Sequence, residues 1–139
     1  MKITRTLKTD ENKLYHFIYH LAYEDAGKTV ETGTTYKKML TTMKGAKQKV
    51  KVTVDAMEHG QYHVTIDQDG NLYRMNYDWT PDGDNKVSLV YEETVEMKDT
   101  KGKLNQRLSS LLMGRSVRNR VNTRLDAFEK ALEDFTWQD

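Results

Sequence analysis

The closing stretch of the chain, Lys103 to Phe135, carries a helical period and is too long for what precedes it. As one continuous helix it would run about 50 Å at ~1.5 Å per residue. The alternating segments before it suit strands of roughly 25–35 Å at ~3.3 Å per residue. A sheet of such strands has to curve to cover the helix. A curved sheet facing a helix leaves room for a pocket between them.

The apolar pattern of this stretch has two parts. Val117, Val121, Leu125, Phe128, Leu132 and Phe135 fall within about 80° of one another on a helical wheel. Leu104, Leu108, Leu111 and Leu112 form a second cluster, rotated by roughly 110° from the first. Gly114 lies between them, and glycine lowers helix stability by ~1 kcal/mol relative to alanine. Two arrangements follow. Either the helix kinks near Gly114 and Ser116 caps a restarted helix, or it runs straight and its first part covers another surface, such as the mouth of the pocket. Val117–Phe135 is then the grip on the sheet, and Leu104–Met113 a candidate lid.

Upstream, the period identifies one helix and six strands. Lys2–Leu7 alternates with Ile3 and Leu7 on one face. Thr9 and Asp10 are N-cap candidates for a helix carrying Leu14, Phe17, Ile18, Leu21 and Ala22 at intervals of three and four, with Gly27 as its stop. Lys28–Gly33 reads as a loop or a short second helix. From Thr34 the period becomes two. Tyr36 and Leu40 share a face, as do Val50, Val52 and Val54, with Lys47, Lys49, Lys51, Thr53 and Asp55 turned away. Tyr62, Val64 and Ile66 follow after a turn at Glu58-His59-Gly60. Asp69-Gly70 is a hairpin signal, and Tyr73, Met75, Tyr77 and Trp79 line the next strand. After a turn at Pro81-Asp82-Gly83, Val87, Leu89, Tyr91, Val95 and Met97 continue the inner face. Short turns between sequential strands imply an antiparallel meander.

Composition narrows the function classes. A length of 139 residues suits a single domain spanning 1–139. A net charge of +1 gives no general attraction to nucleic acid or anionic lipid. The chain has no cysteine, which excludes disulfides and thiolate catalysis and fits a reducing cytosol. Met1–Arg5 lacks the apolar core of a leader, and no run approaches the ~20 apolar residues of a membrane span. The expectation is a cytoplasmic protein with no membrane partner.

The order strand, helix, antiparallel meander, long C-terminal helix resembles the helix-grip fold of the START-like superfamily, also called the SRPBCC or polyketide cyclase superfamily. Within it the chain is similar to a bacterial family of uncharacterised proteins. That resemblance rests on Gly33-Thr34-Thr35-Tyr36-Lys37-Lys38, the run Asn71–Trp79, Val90-Tyr91-Glu92-Glu93 and the arginine-rich Arg107–Arg124. It implies an α+β fold, a curved antiparallel sheet of six or seven strands wrapped around a long C-terminal helix, with a cavity between them. It supplies no catalytic residue. Many members have seven strands and two short helices, where this chain shows six strands and one clear helix before the last.

Alternation places Tyr36, Tyr62, Tyr73, Tyr77, Tyr91 and Trp79 on one side of the sheet. A tyrosine wall offers flat apolar surface with a few hydroxyls, which suits a small apolar or aromatic ligand. It equally suits a filled core. Met39, Met75 and Met97 would add adaptable surface. Glu93 falls on the same face, between Tyr91 and Val95, and a carboxylate there needs a partner. Arg107 and Arg118 lie at the edge of the helix face that looks at the sheet. A Glu–Arg pair would anchor a polar ligand group or carry acid–base chemistry. The alternative is a bulge or an edge ion pair. The candidate ligand-binding set is therefore Tyr36, Tyr62, Tyr73, Met75, Tyr77, Tyr91, Glu93, Leu111 and Arg118, with Glu93 the one weak catalytic candidate.

Other patterns carry less. His16 and His20 are four apart on a helix, but opposite its apolar stripe and without a third ligand, and His59 and His63 lie in a turn and an outward strand position. No metal and no cofactor is expected. Lys101–Arg124 holds seven basic residues and no acid, a stripe that would meet phosphate or an acidic partner or simply be solvated. It lacks the aromatic interleaving of a single-strand binder, so nucleic acid is not expected. Binding of a small ligand ranks first. The alternatives are a cyclase- or dehydratase-type enzyme using Glu93 and a tyrosine, and an interaction module using the basic helix.

Overall fold

The computed structural model describes residues 1–41, 45–97 and 118–137. Strand β1 (Lys2–Leu7) is followed by helix α1 (Glu11–Ala26) and five strands, β2 (Thr35–Thr41), β3 (Lys47–Glu58), β4 (Gln61–Gln68), β5 (Asn71–Pro81) and β6 (Val87–Glu96). A second helix, α2, is described over residues 118–134. The expected kink at Gly114, the Ser116 cap, the lid Leu104–Met113 and Leu111 lie outside the described residues, as does most of the basic stripe.

Local chemistry sets the ends of α1. The Asp10 side chain accepts from the Lys13 amide at 2.7 Å, so Asp10 rather than Thr9 is the N-cap. Gly27 sits at φ 71°, and its amide donates to the Tyr23 carbonyl at 2.8 Å. Lys28–Gly33 forms no helix. It docks on β3 instead: the Gly33 amide donates to the Val54 carbonyl, and the Met57 amide to the Thr32 hydroxyl. Asp69 and Gly70 both adopt positive φ, as a tight two-residue hairpin requires. The next turn begins one residue later than expected. Pro81 ends β5 opposite Val87, and the Asp82 amide closes the loop on the Lys86 carbonyl.

The six strands form one antiparallel sheet in the order β1-β6-β5-β4-β3-β2. The meander runs β2 to β6, and β1 closes against β6. The register stacks inner-face residues in rows: Val52, Ile66, Tyr73 and Val95 in one, Val54, Val64, Met75 and Glu93 in the next. A third row runs Met57, Tyr62, Tyr77, Tyr91 and Ile3. A bulge between Val54 and Ala56 turns Met57 rather than Ala56 inward.

Both helices cover this face. Leu14, Phe17, Ile18 and Ala22 of α1 are buried against it. Val121 and Leu125 of α2 pack on Ile3 and Tyr91, and Leu132 joins the larger core with α1. Arg5, inward on β1, pins α2: its guanidinium reaches Asp126 at 2.7 Å, Glu129 at 3.2 Å and the Asn122 carbonyl at 3.0 Å. Beyond α2, Phe135 packs on Phe17 and Trp137 stacks on His16. His16 is thus covered by the C-terminal tail rather than facing open solvent.

Candidate ligand-binding cavity

Packing is incomplete where α1, the β2–β5 half of the sheet and α2 meet. A half-open cavity of about 230 Å³ remains there. Ile18, Leu21 and Asp25 of α1 form one wall, and Phe128 of α2 closes another. The sheet contributes Tyr36, Lys38, Val52, Tyr62, Val64, Ile66, Met75 and Tyr77. Leu21, 42% exposed, belongs to this rim, which is why an apolar-stripe residue of α1 escapes burial.

The polar groups gather at one side. The Tyr36 hydroxyl donates to Asp25 Oδ2 at 2.5 Å, and Lys38 Nζ lies 3.0 Å from both carboxylate oxygens. Burial, then the hydrogen bond and charge of Asp25, push the Tyr36 phenol well above its ordinary value. Tyr62 is raised by burial and then by the charge of Asp25. Tyr77 is raised by burial, with Arg124 opposing and Glu93 assisting. These phenols therefore stay neutral and remain hydrogen-bond donors. Tyr62 and Tyr77 stack with centroids 5.9 Å apart, and Tyr77 stacks on Phe128 at the same distance.

Of the residues expected from sequence, Tyr36, Tyr62, Met75 and Tyr77 stand on this wall. Tyr73 packs at the margin of the core and not on the wall. Tyr91 is fully buried beneath α2, where its hydroxyl donates to Glu93 Oε1 at 3.1 Å and accepts from Arg124. Glu93 is inward, as alternation required, but outside the cavity. Its arginine partners are Arg120 and Arg124, each at 3.4 Å, rather than Arg118, which is exposed. Arg107 and Leu111 lie outside the described residues. Met39 points away: it is 55% exposed because it alternates with Tyr36 and Leu40. Met97 is half-buried just past β6.

Asp25 and Lys38 were missed, though both left a signal. Asp25 extends the Leu14, Ile18, Leu21 stripe of α1 by one turn, and Lys38 sits between Tyr36 and Leu40 in the inward parity. A charged residue on an apolar face is that signal. Among the described residues, no three histidine or acidic side chains converge as a metal site, and no helix is long and apolar enough to cross a membrane.

A family described as "Domain of unknown function (DUF3284)" matches residues 1–114. No curated protein matches the sequence. Solved structures match over nearly the whole chain. A conserved protein from Geobacillus kaustophilus has 16% identity and a TM-score of 0.64, with 96% of this chain and 94% of that one covered. Ara h 8.0201 has 13% identity and a TM-score of 0.62, with 97% of each covered. Chr148 from Cytophaga hutchinsonii has 14% identity and a TM-score of 0.55, with 99% and 97% covered. At these identities the likeness concerns the fold alone, which is the helix-grip fold.

Proposed function

The chain belongs to the DUF3284 family, and on that premise we propose that it binds a small apolar or aromatic molecule in the cavity between the sheet and its helices. The observation that carries this reading is the cavity itself: about 230 Å³, apolar over most of its wall, with one polar cluster at its side. An apolar cavity of about 150 Å³ is enough to take benzene, and ligand pockets usually begin near ~300 Å³. A ligand of one or two rings fits that range. Binding ranks above catalysis because Asp25, the one carboxylate lining the cavity among the described residues, is already held by Tyr36 and Lys38. Glu93 is engaged elsewhere.

The test is native mass spectrometry of the protein purified from its own cells, beside a Val64→Phe variant whose ring occupies the cavity. A small molecule retained by the natural chain and lost from the variant supports the reading. In parallel, naphthalene should shift the methyl resonances of Ile18, Val64 and Ile66 in the natural protein. Bare protein in the spectrometer together with unmoved methyls would overturn it.

A further inference from the structure

We propose that Asp25 and Lys38 make the cavity selective for a neutral aromatic alcohol or ketone over an aromatic acid or amine of the same size. This inference rests on the cavity being a binding site and specifies what that site accepts.

The charged groups on the wall compensate each other. Lys38 Nζ lies 3.0 Å from both oxygens of Asp25, and the Tyr36 hydroxyl takes Oδ2 as well. A ligand carboxylate entering here gains Lys38 only against the repulsion of Asp25, and an ammonium meets the reverse. Either would shed part of its hydration with no net counter-charge to replace it, an effect reduced by solvent because Lys38 and Asp25 are 26% and 42% exposed. A neutral ligand faces no such loss.

The remaining polar groups suit an uncharged oxygen. No hydrogen bond among the described residues engages the Tyr62 or Tyr77 hydroxyl, and both residues line the cavity. Each phenol can donate to a carbonyl or hydroxyl oxygen, and can accept from a hydroxyl. Their stacked rings beside Phe128 give a flat apolar surface to the rest of the ligand. Selectivity here comes from what the wall refuses as much as from what it binds.

The test uses naphthol, naphthoate and naphthylmethylammonium, substituted at the same ring position, titrated by calorimetry at neutral pH. The natural protein should bind naphthol at least about tenfold tighter than either ion. Lys38→Met leaves Asp25 uncompensated and should move the preference to the ammonium. Asp25→Asn should move it to naphthoate. Tyr36→Phe keeps both charges and should leave the ranking in place. An ion bound best by the natural protein, a ranking unmoved by both charge variants, or a ranking inverted by Tyr36→Phe overturns the selectivity while leaving the binding site standing. Failure of all three probes to bind folded natural protein overturns the binding reading, and the selectivity with it.

Discussion

Met75 and Glu93 face each other as register partners across β5 and β6, yet only Met75 reaches the cavity. The boundary between them is set by α2. Val121 and Leu125 seat the helix on Ile3 and Tyr91, which brings Arg120 and Arg124 over Glu93. Tyr91 lies under the Arg124 guanidinium, 5.2 Å from the ring centroid, so the cluster is a clamp between β6 and α2. The cavity begins one strand further in.

Glu93→Gln should therefore loosen the clamp and leave the cavity alone. Glu93 is 17% exposed, but Arg120 and Arg124 are 61% and 41% exposed, so solvent screens much of the attraction. The expected loss is about 1 kcal/mol or less, read as a small shift in the urea midpoint. Affinity for naphthol should change by less than about twofold. A tenfold loss of affinity would mean that Glu93 belongs to the binding site.

Alkaline pH should destabilise the fold from above pH ~10. Tyr36, Tyr62, Tyr77 and Tyr91 all have phenols raised above their ordinary value, with burial the largest cause in each. A raised group keeps its proton in the folded chain after the unfolded chain has lost it. Its contribution is complete below the unfolded value and is lost as pH rises towards the folded one. Each such tyrosine adds about 1.4 kcal/mol per pH unit of falling stability in that window. Phenolate absorbance should show four of the eight tyrosines titrating only on unfolding. All eight titrating in folded protein would contradict the burial of these rings.

Two leucine truncations should separate core from cavity rim. Leu125, 2% exposed, anchors α2, and Leu125→Ala should cost about 3 kcal/mol. Leu21 already borders open space, so Leu21→Ala should cost under about 1 kcal/mol and instead weaken ligand binding. Denaturant unfolding of the two variants side by side measures the difference. Equal costs would mean that the cavity is closed by packing in solution.

Much of this architecture was readable because its determinants are local. Asp10 and Gly27 mark the ends of α1, Asp69-Gly70 makes its hairpin, and the period-two runs place Tyr36, Tyr62, Met75 and Tyr77 on the inner face. The misreadings occurred where neighbours along the chain do not decide. Residue type alone groups Met39 with the pocket, although its parity turns it outward. A helical wheel puts Arg118 at the edge of the stripe but does not show which flank meets β6, where Arg120 and Arg124 pair with Glu93.

The sequential β2–β6 meander, the inward face of most strands and the gripping stripe of the last helix were thus determined by the sequence alone, through alternation, turn chemistry and helical period, whereas the pairing of β1 with β6 and the bulge in β3 were not. Tertiary structure decided which part of the inner face stays open. That depends on how α1 and α2 settle against each other and the sheet, filling the space over Tyr91 and Glu93 and leaving it unfilled over Val64 and Met75. It also brought Asp25 from α1 to Tyr36 and Lys38 on β2, a pairing across separate elements that no local pattern encodes.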